Sequence, residues 1–279
     1  MKKSFILLLC CIAVVVVNAQ HQMVKLWETD SVLKVPESVL YDEQNKVLYV
    51  SNIDGTQPWG KDGKGSIGKV GLDGKVIAAE WVTGLNAPKG MGFYKGKLYV
   101  ADLTEIVVID IEKGAIVERL PLDATGLNDI SISNSGKLYV TDMRMRKVHE
   151  ISLNSPASGA VIADSNQLKG PNGILAHNNE LYILDAGVMY KREANGSLTK
   201  LAEGMEGGTD GIEHVTDDEF LVSTWGGVVY YVKTNGNKEV LIDGRAQKIN
   251  SADIGYDAKR RIVYVPTFWK NTVVAYELK

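Results

Sequence analysis

A short apolar pattern, Leu-Tyr-Val or a close variant, recurs six times along the chain. The copies are Leu48-Tyr49-Val50, Leu98-Tyr99-Val100, Leu138-Tyr139-Val140, Leu181-Tyr182-Ile183, Phe220-Leu221-Val222 and Val263-Tyr264-Val265. Their first residues are separated by 50, 40, 43, 39 and 43 positions. Self-similarity at a period near 40 restricts the fold more than any other feature, because it belongs to repeat architectures. Each copy follows another strand and a polar turn, such as Asn134-Ser135-Gly136-Lys137 or Asp257-Ala258-Lys259-Arg260. Each is followed by a third strand, as at residues 106–109 and 272–276, and then by a fourth, as at 115–118 and 239–242. No window of helical period competes with this alternation. Four strands per 40-residue unit are the pattern of propeller blades, whose two apolar faces must each meet a neighbour. The sequence therefore predicts an all-β, six-bladed β-propeller. The sixth unit runs out at Lys279 after three strands, while residues 23–29 precede the first unit with nothing else to pair with. That spare segment is expected to supply the outer strand of the last blade and close the ring.

The 279 residues carry a formal net charge of −3, which gives no electrostatic footprint for nucleic acid or an anionic membrane surface. Residues 1–19 stand apart: Lys2 and Lys3, an apolar run over 5–17, then Val17-Asn18-Ala19. That is the build of a cleavable signal peptide, and the run is shorter than the roughly 20 residues of a membrane span. Both cysteines, Cys10 and Cys11, lie within it, so a disulfide framework and a cysteine nucleophile are excluded from the mature chain. Residues 20–279 are expected to form one domain, periplasmic or secreted, with no membrane span.

In a propeller the innermost strand of each blade lines a central channel, and its first residues sit at one rim. Aligning the units gives one rim position per blade: Glu37, Lys89, Asn128, Asn172, Asp210 and Ala252. Two carboxylates and two amide oxygens converging from four blades make a hard-oxygen set. It suits Ca²⁺, with Mg²⁺ or Mn²⁺ as alternatives, and no histidine or cysteine joins it to favour Zn²⁺. Glu37 and Asp210 would balance a divalent charge, and Asn128 and Asn172 would add neutral ligands. The competing reading is a polar plug of hydrogen-bonded amides and water.

The segments Pro36-Glu37-Ser38, Asn128-Asp129, Pro171-Asn172-Gly173 and Asp210-Gly211, in that order and in those blades, resemble the senescence marker protein/gluconolactonase/luciferin-regenerating enzyme family. Paraoxonases and diisopropyl fluorophosphatase are more distant propeller relatives. The resemblance covers all six units. It implies a metal-dependent lactone or ester hydrolase, with Glu37, Asn172 and Asp210 on a divalent cation and Asn128 beside it. Two positions depart from the family. The arginine that holds sugar in gluconolactonase-type members is Gly126 here, and Lys89 stands in the column itself. Lys89 could replace the metal by pairing with Glu37 or Asp210, contact substrate and steady an oxyanion, or serve structure.

The loop between second and third strands returns to the same rim. In blade one it is long, residues 52–66, with Trp59 and four glycines, and it reads as a lid. Equivalent loops bring Met143, Arg144, Met145, Arg146, Val188, Met189, Trp225, Phe268 and Trp269, a wall suited to a partly apolar ligand with an anionic group. Trp225 reads rather as packing between blades. Of the histidines, His149 and His177 are expected in outer strands or turns, and His214 as a structural residue of a channel strand. The leading expectation is a metal-assisted hydrolase of a lactone or related ester. Asp210 or Asp129 would act as general base, and Lys89, Asn128, Trp59, Arg144, Arg146 and Trp269 would contact substrate. The alternative is a non-catalytic propeller that binds a small molecule or a partner protein, with Lys89 in place of the metal.

Overall fold

The computed structural model describes residues 21–154 and 159–279; the signal-peptide expectation for residues 1–19 lies outside them. The described residues fold into six four-stranded antiparallel sheets. The inner strands are Pro36–Asp42, Pro88–Tyr94, Leu127–Ile132, Pro171–His177, Thr209–Thr216 and Gly255–Asp257, each beside the next around the ring. The ring closes as the sequence predicts. Met23–Glu28 pairs antiparallel with Val273–Leu278 and completes the sixth blade from outside. A second seam lies at the centre, where Ser38 bridges Asp253 and the amide of Asp253 donates to the Glu37 carbonyl. No helix among the described residues is long and apolar enough to cross a membrane.

The recurring Leu-Tyr-Val strand is the second strand of each blade, and the packing explains its composition. Successive side chains point to opposite faces of a strand. In blade one, Leu48 and Val50 pack against Tyr264 and Val273 of blade six, while Tyr49 packs with Leu98 and Val107 of blade two. Blade five repeats the arrangement: Phe220 and Val222 face Tyr182 and Leu184 of blade four, and Leu221 faces Val263 of blade six. A strand sandwiched between two neighbours must be apolar on both faces, so alternation with polar residues disappears. Truncating one of these fully buried side chains to alanine typically costs about 2–5 kcal/mol.

Second strands also end in a recurring device. Asp102, Asp142 and Asp185 are buried and accept backbone N–H groups from the loop that enters their own blade, Asp142 taking one further N–H from the turn after its own strand. Asp102 takes Asn86 and Ala87, Asp142 takes Thr125 and Met145, and Asp185 takes Lys169 and Gly170. These clasps hold the entry loops against the ring just outside the channel mouth.

Candidate functional site at the channel mouth

Five of the six inner strands open with the same irregularity. Pairing with the second strand slips between Pro36 and Ser38, Pro88 and Met91, Leu127 and Ile130, Pro171 and Ile174, and Thr209 and Ile212. A β-bulge bends its strand and re-aims the side chain it carries. Here the second strand residue of each is re-aimed: Glu37, Lys89, Asn128, Asn172 and Asp210. Amides freed by three bulges find hydroxyls on the adjacent strand: Ser38 donates to Ser51 Oγ, Asp129 to Thr141 Oγ1 and Gly211 to Ser223 Oγ. The next residue lies hard against the neighbouring blade. A Cβ on Gly90 would stand 2.5 Å from Asp129 Cα, and one on Gly173 only 2.0 Å from the Asp210 carbonyl oxygen. Glycine at these two positions lets adjacent strands approach closely enough for the column residues to meet.

They do meet. Glu37, Lys89, Asn128, Asn172 and Asp210 line one cleft of about 290 Å³, together with Pro58, Trp59, Met143, Gly208, Trp225 and Phe268. All five column residues are buried, Lys89 at 2 % and Glu37 at 5 % exposure. Ala252, the sixth column position, packs beneath the rim with Phe268, Val35 and Ile53 and contributes no polar atom.

Inside the cleft, Lys89 Nζ stands 3.6 Å from Glu37 Oε1, so the two charges form a buried ion pair. Asn172 Nδ2 donates to Asp210 Oδ1 at 2.8 Å. Glu37 Oε2 and Asn172 Oδ1 are buried with no hydrogen-bond partner among the described residues. Buried acceptors without donors are costly and rare in native structures. Burial raises the Glu37 carboxyl above its ordinary value, against the pull of Lys89. Asp210 is pushed well above the usual carboxylate range, first by burial, then by Glu37 and Asp253.

The rim adds cations to an aromatic surface. Trp59, carried over the mouth by the long loop of blade one, has Lys89 Nζ 4.4 Å and Arg144 Cζ 4.7 Å from its ring centroid. Arg144 makes no ion pair with any described residue. Its stem lies over Gly126, where a Cβ would come within 2.6 Å of Arg144 Cγ. Trp225 lines the cleft and meets Phe268 edge-on at 5.5 Å, so it is part of the wall rather than packing alone.

Other expected site residues are placed elsewhere. Asp129 lies on the channel side, with Oδ1 accepting from the Ile130 amide and Oδ2 from the Ile174 amide of the next blade. It fastens blade three to blade four, and both oxygens are engaged. Trp269 packs edge-on against Phe268 at 4.7 Å and, like Arg146, is not among the residues lining the cleft. Met189 is fully buried in the core between blades four and five, not at the rim. His149 belongs to a third strand rather than an outer one. His177 ends an inner strand and stacks on His214, with 3.9 Å between centroids, far along the channel strands from the column. Deeper in the channel, Asp253 and Glu213 face a space of about 280 Å³ together with Asp129. Burial raises Asp253 to about 7 and, with Asp253 beside it, Glu213 to about 8. The sequence reading missed both. Asp253 directly follows the column position Ala252, which is the one signal that could have flagged it.

The donor types at the mouth suit an oxygen-preferring divalent ion, but the folded site does not fit one. Among the described residues no third Asp, Glu, His or Cys side chain joins Glu37 and Asp210, so an ion here would have to rest on two carboxyls and amide oxygens beside a resident ammonium. An ion on Glu37 Oε1 at calcium distance would also lie within about 6 Å of the Lys89 ammonium. At an effective dielectric near 20, two like unit charges 4–6 Å apart repel by about 3–4 kcal/mol, and a divalent ion doubles that.

Residues 35–205 match the family model described as SMP-30/Gluconolactonase/LRE-like region. No curated protein matches the chain. Among solved structures, selenomethionine-substituted virginiamycin B lyase from Staphylococcus aureus superposes with a TM-score of 0.67 at 13 % identity, over 93 % of this chain and 100 % of that one. A streptogramin B lyase gives 0.65 at 12 %, over 93 % and 97 %. A chain of the nidogen/laminin complex gives 0.64 at 18 %, over 80 % and 84 %. At these identities the likeness is one of fold.

Proposed function

The chain belongs to the SMP-30/gluconolactonase/LRE-like family, and from that premise we propose that its channel mouth binds and hydrolyses a small lactone or related ester. The observation that carries the proposal is the cleft itself: a raised carboxyl, a buried ammonium and two unpartnered acceptors share one partly apolar pocket.

Asp210 is the general base. Burial and the neighbouring carboxyls raise the Asp210 carboxyl, so its ionised form is a stronger base than a carboxylate in water. The Asn172 amide fixes its Oδ1, while Oδ2 makes no hydrogen bond to any described residue and is free to take a proton from water. The water oxygen then bonds to the carbonyl carbon, and the carbonyl π electrons move to oxygen. That oxyanion forms within reach of the Lys89 ammonium, which keeps donors beyond its contact with Glu37, and of the Asn128 amide. Collapse breaks the bond between the carbonyl carbon and the ester oxygen. The leaving alkoxide recovers the proton from Asp210, and the product is a hydroxy acid from a lactone, or an acid and an alcohol from an open-chain ester. Arg144 on the face of Trp59 holds an anionic group of the substrate at the rim, and Met143, Trp225 and Phe268 cover its apolar part. Export, suggested by residues 1–19, places the reaction outside the cytoplasm.

The test is a panel of γ- and δ-lactones and aryl esters, with and without a carboxylate, followed by proton release. Turnover by the wild-type protein that is lost in Asp210→Asn and Lys89→Met supports the proposal. No turnover of any member, or an Asp210→Asn rate equal to wild type, overturns it. A second reading, binding without turnover, is favoured by the Lys89–Glu37 pairing, which draws the ammonium's charge away from a ligand. Under that reading ligands bind and neither variant changes a rate.

A further inference from the structure

We infer that the Lys89 ammonium is the resident cation of the channel mouth, and that a neutral residue at position 89 converts the mouth into a divalent-cation site.

Four features of the cleft combine in this. The ammonium comes from the blade next to Glu37 and ends at ion-pair distance from Glu37 Oε1, almost wholly screened from solvent. Its reach is fixed from behind, because Gly90 holds the backbone of Lys89 against Asp129 and Trp59 covers the nitrogen from the rim. Four oxygen-bearing side chains line the same cleft from four further blades, and two of their oxygens, Glu37 Oε2 and Asn172 Oδ1, have no donor among the described residues. Asn172 turns its amide nitrogen to Asp210, which leaves its oxygen as the open acceptor. Such a group of oxygens is arranged to face positive charge. Lys89 supplies one unit of it, paired with Glu37, and leaves the oxygens of Asn128, Asn172 and Asp210 without a cation of their own. Removing the ammonium leaves two carboxyl groups beside two amide oxygens, a set that a hard divalent ion takes by displacing the carboxyl protons.

The inference does not depend on what the cleft hydrolyses, and its readouts are binding and melting rather than turnover. The full mature chain is analysed for bound metal after purification without chelator, then melted in EDTA and in millimolar CaCl₂ or MnCl₂. The Lys89→Asn variant is treated in the same way, with calorimetric titration by both ions. Wild type is expected to carry no stoichiometric divalent metal and to melt within about 1 °C in all three solutions. Lys89→Asn is expected to bind one ion per chain and to gain roughly 3 °C or more on saturation, the scale of a ligand well above its dissociation constant. One divalent ion per wild-type chain, or a wild-type melt lowered by EDTA, overturns the inference. A folded Lys89→Asn that gains no binding also overturns it. Should the asparagine variant fail to melt cooperatively, Lys89→Gln replaces it with the same two outcomes, and the wild-type metal analysis stands by itself.

Discussion

Buried carboxylates occur in two neighbouring zones of this propeller and are treated in opposite ways. At the ends of second strands, Asp102, Asp142 and Asp185 each take at least two backbone N–H groups. At the mouth, Glu37 has one oxygen near Lys89 and the other without a partner, and Asp210 has one oxygen on an amide. Burial removes the water from both zones, so the difference lies in what replaces it. Where the chain needs a carboxylate to hold a loop, the backbone supplies the donors. Where donors are withheld, the group keeps an open valence for something that arrives from outside.

Several outcomes would break or sharpen that contrast. The largest expected effect is Asp210→Asn, which should lower lactone or ester turnover by about 10²–10⁴-fold, the range for loss of a general base. Its chemical denaturation midpoint should move little, because a neutral amide is no worse buried than the carboxyl it replaces. Asp185→Ala should do the reverse. Stranding the amides of Lys169 and Gly170 is expected to cost roughly 2–4 kcal/mol in urea unfolding, with turnover per folded molecule unchanged. If Asp185→Ala were silent in urea, the clasp zone would not be structural.

The channel carboxyls give an intermediate effect with a defined sign. Asp253 at about 7 and Glu213 at about 8 keep their protons in the folded state, while in the unfolded chain they release them near pH 4. Between those values the native state binds more protons, so stability falls as pH rises from about 4 to about 8. Glu213→Gln should flatten this slope and raise the melting temperature more at pH 8 than at pH 5. Equal shifts at both pH values would remove Glu213 from the account. The smallest effect is expected at the rim. Gly126→Ala should push Arg144 off Trp59 and raise KM for a carboxylate-bearing substrate about 2- to 5-fold, the scale of one exposed cation–π contact. A neutral lactone should be unaffected.

The blade count, the strand order and the closing strand were legible because they follow from spacing and from strands apolar on both faces. The mouth column was legible too, since one position per repeat can be aligned without knowing any contact. What sequence could not supply were partners across blades. Asp129 sits beside Asn128 and looks equally available, yet the bulge turns its neighbour to the cleft and points Asp129 at the Ile174 amide, 45 positions away. Ser51, Thr141 and Ser223 read as ordinary strand residues until the bulges they cap are seen. Met189 and Trp225 exchanged their expected roles for a similar reason: Met189 falls inside its strand and turns to the core, whereas Trp225 falls in the turn after Thr224 and reaches the rim.

The central seam, where Ser38 meets Asp253 across 215 positions, has a consequence for biosynthesis. Glu37 is made among the first residues of the ring but acquires the last piece of its wall, Phe268, only when blade six arrives and closes the circle. Partial chains therefore have no closed pocket to offer, and capacity should switch on with the final blade, not grow blade by blade. Pairing this remote in sequence is also slow to form, so the gap between synthesis and competence is set by the join, whatever the chemistry at the mouth.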